Sequence, residues 1–331
     1  MGKFGRIAAL AAVFVALPVC VASAQTPDIA ATPPTAVTAP APAATPTPAV
    51  APAPAPATCA SRADFRVVLD VGHTPESPGA RSARGIDEFV FNLRLGKLID
   101  QALRDAGFAK AVLMVTDGPG VRSMYVRMAR ANSLDANLLL SIHHDSVPDS
   151  FLEKWEYQGK HETFSDRFKG HSLYVSDDTA DLKDSRMFAS MLGQQLKSRG
   201  LQYTPHYTEK FMGHNRHELL DADAGVYRYD TLFVLKKAQM PAALLEAGSI
   251  ANRDEELQME TPERQNLISA SVVAAIDSFC TAMQGKTPET RTAQHSRPKR
   301  IVTARLHRRA HERAVSTASV STAVQSSLDT H

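Results

Sequence analysis

The chain has 331 residues, 44% of them hydrophobic, and sets 37 Lys and Arg against 35 Asp and Glu for a formal net charge of +2. So even a balance gives nucleic-acid binding no support. Three cysteines are also too few for a scaffold built on disulfides.

In chain order, residues 1–24 read as a secretory signal. Lys3 and Arg6 open it, residues 7–21 are almost unbroken apolar, and Ala22-Ser23-Ala24 is a small-residue cleavage site. The apolar run is short for a membrane span. Leu17-Pro18-Val19-Cys20 is a poor fit to a lipoprotein signal because valine precedes the cysteine. Residues 25–58, mostly Ala, Pro and Thr, have few side chains able to build a core and read as a semi-rigid spacer. Residues 59–282 have the composition of a folded domain, large enough for a single core. Residues 283–331 hold nine Lys and Arg against three Asp and Glu and read as a basic disordered tail. That tail suits an anionic polymer or membrane surface, or is simply solvated. No transmembrane segment is expected once the signal is removed. Cys59 and Cys280 stand at the two edges of the domain. In the oxidising compartment reached by an exported chain, they are candidates for one disulfide.

Within the domain, apolar runs alternate with helical periods. Strands are expected over 65–71, 111–116, 137–142, 172–176, 232–235 and 242–245, and helices over 88–106, 121–134, 185–199 and 262–281. This order implies a single α/β domain with a mostly parallel or mixed sheet and helices on both faces. His73, His143 and Glu246 each follow an apolar strand directly. In open α/β sheets, ligands bind beyond the carboxyl ends of the strands. If these strands run side by side, the three residues meet on one rim.

A catalytic zinc takes three protein ligands and keeps one open position. His73, Glu88 and His143 would supply two imidazoles and a carboxylate. Glu246 is the candidate general base, taking a proton from water and passing it to a leaving nitrogen. Each has a plainer reading. Glu88 opens a helix, where the dipole favours a carboxylate anyway, a strand-end histidine is often a turn residue, and Glu246 could simply bond Asn252. His144, next to His143, is read as a supporting donor or surface residue, though the choice between the two histidines stays open. No His-Glu-x-x-His helix, nucleophile elbow or phosphate-binding glycine loop occurs.

In order along the domain come Asp70-Val71-Gly72-His73, Glu88 with Asn92-Leu93, Arg127-Met128-Ala129-Arg130-Ala131-Asn132, Ser141-Ile142-His143, and Pro241 to Gly248 followed by Asn252 and Glu255. This series resembles the zinc-dependent N-acetylmuramoyl-L-alanine amidases, the type-3 amidase family of cell-wall hydrolases. The resemblance implies one zinc per chain on His73, Glu88 and His143, with Glu246 catalytic. It also implies cleavage of the peptidoglycan amide between the lactyl group of N-acetylmuramic acid and L-alanine. The chain departs from the family pattern at Val71, Thr74, His144 and Ser249-Ile250.

Some members of that family block the zinc with a segment placed like residues 147–170 here. From position and carboxylate content, one of Glu153, Glu156 and Glu162 is a candidate to cap the metal until an activating protein moves it; the plainer reading is a substrate-groove loop. His206, His214 and His217 read as loop or groove residues. An exported chain with such a substrate belongs in the periplasm or outside the cell. The competing readings are a zinc peptidase trimming wall peptides and a non-catalytic wall-binding module.

Overall fold

The computed structural model describes residues 58–179 and 181–284. The signal reading of 1–24, nearly all of the 25–58 spacer and all but the first two residues of the 283–331 tail lie outside that range.

In chain order the elements are β1 (Val67–Val71), α1 (Glu88–Asp105), β2 (Val112–Met114), α2 (Gly120–Ser133) and β3 (Leu138–Asp145). There follow β4 (Glu153–Tyr157), β5 (Lys160–Phe164), β6 (Ser172–Val175), α3 (Leu182–Ser198), β7 (Glu218–Asp221) and β8 (Val226–Arg228). The chain closes with α4 (Phe233–Lys237), β9 (Ala242–Ser249), α5 (Arg253–Met259) and α6 (Pro262–Gln284). Seven strands form one sheet in the order β2-β1-β3-β9-β6-β8-β7. β1, β2, β3 and β9 run parallel, β6 pairs antiparallel with β9 and parallel with β8, and β7 is antiparallel to β8. The sheet is therefore mixed, as the alternation of elements implies.

Strand side chains alternate between the two faces, and the core divides accordingly. Val67, Leu69, Leu140, Ile142 and Leu245 pack with α1, α3 and α6 residues such as Ile99, Phe188 and Phe279. Val68, Leu139, Ala242 and Leu244 pack on the other face with Met128 and Ala131 of α2 and Val234 and Leu235 of α4. β1, β3 and β9 are thus buried on both faces, which is why they read as continuous apolar runs.

Three expectations need correction. The stretch 232–235, expected as a strand, belongs to α4: an apolar run this short does not by itself distinguish strand from helix, and here Val234 and Leu235 turn inward while Lys236 and Lys237 stay exposed. The region of His206, His214 and His217, read as loop or groove residues, runs directly into β7 and β8, which complete one edge of the sheet. Residues 147–170 carry a hairpin, β4 paired antiparallel with β5.

The ends of the domain are tied together. Cys59 and Cys280 form a disulfide with Cα atoms 5.6 Å apart, an ordinary span for such a bond. Beside it Arg62 pairs with Asp277 at 2.7 Å. Among the described residues α6 is long and apolar enough to cross a membrane, but Val272, Ile276 and Phe279 are buried in the domain core.

Candidate metal centre

The parallel registers of β1, β3 and β9 bring their carboxyl ends together. Val71 lies opposite Ile142, and His143 lies opposite Glu246. Gly72 continues the ladder by donating its N–H to Ile142 O at 2.9 Å. A Cβ on Gly72 would lie 2.4 Å from the His143 ring, so only glycine lets the ring sit there. His73 then takes a left-handed backbone, φ 67°, that is uncommon for histidine. Strain of this kind collects at functional sites.

Glu88 is the first residue of α1 and is buried. Its Oε2 lies 3.0 Å from His73 Nε2 and its Oε1 lies 3.0 Å from His143 Nδ1. Ala80 N–H donates to Oε2 at 3.1 Å and Asn92 Nδ2 donates to Oε1 at 3.0 Å, which fixes the carboxylate in place. Burial works against the charged form of Glu88. The hydrogen bonds from His143 and His73 outweigh it and hold its pKa well below the usual carboxylate value. One donor atom from each of His73, Glu88 and His143 lies within 4.8 Å of the others. The rings of His73 and His143 meet edge to face, with centroids 4.9 Å apart. Gly79 keeps the surrounding space open: a Cβ there would lie 2.4 Å from Glu88 Oε2. Two imidazoles and one carboxylate, with Gly72 and Gly79 placing no side chain against them, fit a divalent metal of the zinc type.

Strand pleating separates the two adjacent histidines. His143 shares the face of Leu139 and Ser141 and joins the cluster. His144 points to the α1 side, where its Nδ1 meets Asn92 Oδ1 at 2.7 Å and its ring lies against Phe91. Burial depresses its pKa to about 3, so it stays neutral. Since Asn92 also bonds Glu88, His144 braces a residue that braces the triad.

Glu246 lies on the same face as His143, in a cavity of about 570 Å³ that His73 and His143 also line. Its Oε2 is buried with no hydrogen-bond partner among the described residues. Burial, with added repulsion from Asp145 and Glu88, pushes its carboxyl well above the ordinary value. Asp145 is a residue the sequence reading missed. It accepts hydrogen bonds from the Tyr207 hydroxyl at 2.7 and 2.6 Å, and burial raises it to about 7 against that opposing bond. The period of two places Asp145 on the His143 face, and that was a usable signal. Tyr207 lies in a 3-10 turn and carries no such signal. Tyr174, His217 and Tyr229 form the aromatic wall of the cavity, with the His217 ring 4.3 Å from that of Tyr229.

The glutamates of the 147–170 segment are not brought to the triad. Glu162 pairs with Arg81 at 3.2 Å, and Glu153 and Glu156 are exposed on the hairpin. The hairpin instead grips the loop leading to Glu88, through the Trp155 Nε1 hydrogen bond to Ala83 O at 2.8 Å. His206 is buried, His217 lines the cavity and His214 is exposed.

The family model for N-acetylmuramoyl-L-alanine amidases matches residues 67–278, from β1 into α6. A protein of Buchnera aphidicola subsp. Baizongia pistaciae (strain Bp), described as a putative N-acetylmuramoyl-L-alanine amidase, is 26% identical over 217 residues, which is 64% of this chain and 95% of that protein. The fold also matches the crystal structure of the amidase Ami1 from Mycobacterium smegmatis with a TM-score of 0.50 at 20% identity, covering 66% of this chain and 98% of that one. An N-acetylmuramoyl-L-alanine amidase from Clostridium difficile 630 matches with a TM-score of 0.50 at 18% identity, covering 67% and 98%.

Proposed function

The chain belongs to the type-3 N-acetylmuramoyl-L-alanine amidase family of cell-wall hydrolases, and from that premise we propose that it cleaves peptidoglycan at a zinc centre formed by His73, Glu88 and His143, with Glu246 as general base. The observation that carries this reading is the register of His143 against Glu246 beside a three-donor cluster.

Bound to the triad, a zinc ion supplies Lewis acidity, polarising the amide carbonyl and lowering the pKa of water. The chain's own groups do the rest. The cavity receives the amide that joins the lactyl group to L-alanine. Glu246 removes a proton from the attacking water and returns it to the amide nitrogen, so that the peptide leaves as a neutral amine. Burial lifts the Glu246 carboxyl above the ordinary carboxylate value, the direction that makes a carboxylate a stronger proton acceptor. Asn92 and Ala80 hold Glu88 so that both histidines are met at once. Tyr207 ties Asp145 to the cavity wall. The substrate lies in the cell wall, which puts the working chain in the periplasm or outside the cell.

Digestion of purified peptidoglycan by the full chain with added zinc tests the reading. The expected products are stem peptides with a new free amine on L-alanine. Cuts confined to bonds within the peptide would replace the amidase with a peptidase.

A further inference from the structure

A second cavity, of about 480 Å³, lies between the 167–170 segment, residues 200–206 and the helices α5 and α6. It takes no part in the proposed amide cleavage. The 3-10 turn His206–Thr208 separates it from the first cavity: Tyr207 lines the first and His206 lines the second.

Two of the residues lining the second cavity, His206 and Arg264, carry buried donors that lack acceptors among the described residues. His206 is 7% exposed. Its Nδ1 is hydrogen-bonded to Thr204 Oγ1, and its Nε2 is buried without a partner among the described residues. Burial, with the nearby Arg167 charge, holds His206 down at about 4, so the ring is neutral and carries one N–H. When the Thr204 hydroxyl donates to Nδ1, that proton sits on Nε2 and makes it a donor. Arg264 gives one nitrogen to Glu255 Oε1 at 3.1 Å, while its Nε is buried and unpartnered. Glu255 has little left to offer, since its Oε2 already accepts from Gly170 N at 2.8 Å and Ser249 N at 2.9 Å. Arg167 and Lys169 stand exposed at the rim, with no carboxylate in salt-bridge range among the described residues. The Arg167 guanidinium is held over the Phe211 ring, 4.1 Å from its centroid. Against these three cations stand Glu255, already engaged, and the exposed Glu209.

Buried donors without acceptors are costly to leave unmet. Guanidinium groups match the paired oxygens of an oxyanion. We propose that this cavity is a second binding site, specific for a small oxyanion, which Arg167, Lys169, Arg264 and His206 hold together. A carboxylate, as at a peptide C-terminus, and a phosphate share this chemistry.

The test follows the ring nitrogen signals of His206 in the full chain, assigned with the H206Q variant, at constant ionic strength in chloride. The probes are trialanine with a free carboxylate, its C-terminal amide, and inorganic phosphate. Neither metal nor turnover is needed, so the outcome is separate from that of the amidase reading. The expected result is a saturable shift of His206 Nε2 with trialanine or phosphate and none with the amide. The surface variant Arg167→Ala/Lys169→Ala should weaken that binding by about tenfold, the effect of losing charge-assisted contacts. A shift with phosphate alone sustains the site and removes peptide carboxylates as its source; a shift with trialanine alone does the reverse. No saturable shift, equal shifts with acid and amide, or no weakening in a double variant that melts like wild type would overturn the site.

Discussion

His143 and His144 are adjacent in β3, but the pleat sends one to the cluster with His73 and Glu88 and the other to α1. They should therefore respond differently to mutation. His144→Leu removes the partner of Asn92 Oδ1 inside the core, so a loss of about 1–3 kcal/mol is expected, read as a lower denaturation midpoint. Its zinc content should fall far less than that of His143→Ala. Equal zinc loss in the two variants would mean that the wrong histidine has been assigned. Glu246 is tested at its oxygen. Glu246→Gln keeps the shape and removes the base, so turnover should drop by about 10²–10⁴-fold while bound zinc stays at the wild-type level. Turnover within a few-fold of wild type would exclude the base role. The four residues His73, Glu88, His143 and Glu246 could be picked from strand ends and a helix start. Which of two adjacent histidines faces the cluster follows only from the period of two once the core face is known. Asp145 obeys the same rule and was overlooked. Tyr207 reaches Asp145 across 62 residues of sequence, and no local pattern records such a contact.

The hairpin β4–β5 is an element whose position gives it a role. Trp155 bonds Ala83 O, Glu162 pairs with Arg81, and the Arg84 guanidinium lies 5.6 Å from the Trp155 ring. All three partners lie in the loop between Gly79 and Glu88. The hairpin therefore holds the loop that presents a proposed ligand. Trp155→Ala should make zinc easier to strip by a chelator, by about tenfold, the lower end of the effect seen when groups supporting a ligand are lost. Unchanged competition would reduce the hairpin to a surface feature. Legibility at this scale depends on element length and on how apolar the run is. β1, β3, β9 and α1 were readable because they are long or buried on both faces. α4, β7 and β8 are only three to five residues long, too short for either periodicity to be decisive; β2 and β6 are as short, but β2 sits in an apolar run and β6 holds no charge, while β7 and β8 carry charged residues. The place of α4, β7 and β8 is set by packing against β6 and the α2 face, which is tertiary information.

For the whole molecule, the disulfide joins the entry to β1 with the C-terminal half of α6 across 221 residues. In the chain-entropy view, a closed loop of that length stabilises by roughly 4–5 kcal/mol. Cys59→Ser/Cys280→Ser should lose much of that, seen as an earlier urea midpoint, and an unchanged midpoint would show that the covalent tie adds nothing to the Arg62–Asp277 pair beside it. The rest of the architecture serves one rim. Parallel β1, β3 and β9, buried on both sides, bring His73, His143 and Glu246 to the same edge, and α1 starts there with Glu88. Elemental analysis of zinc per chain in wild type, His73→Ala and His143→Ala tests that convergence most directly. The expected result is one zinc in the wild type and almost none in either variant; one equivalent of zinc retained in both variants would contradict it.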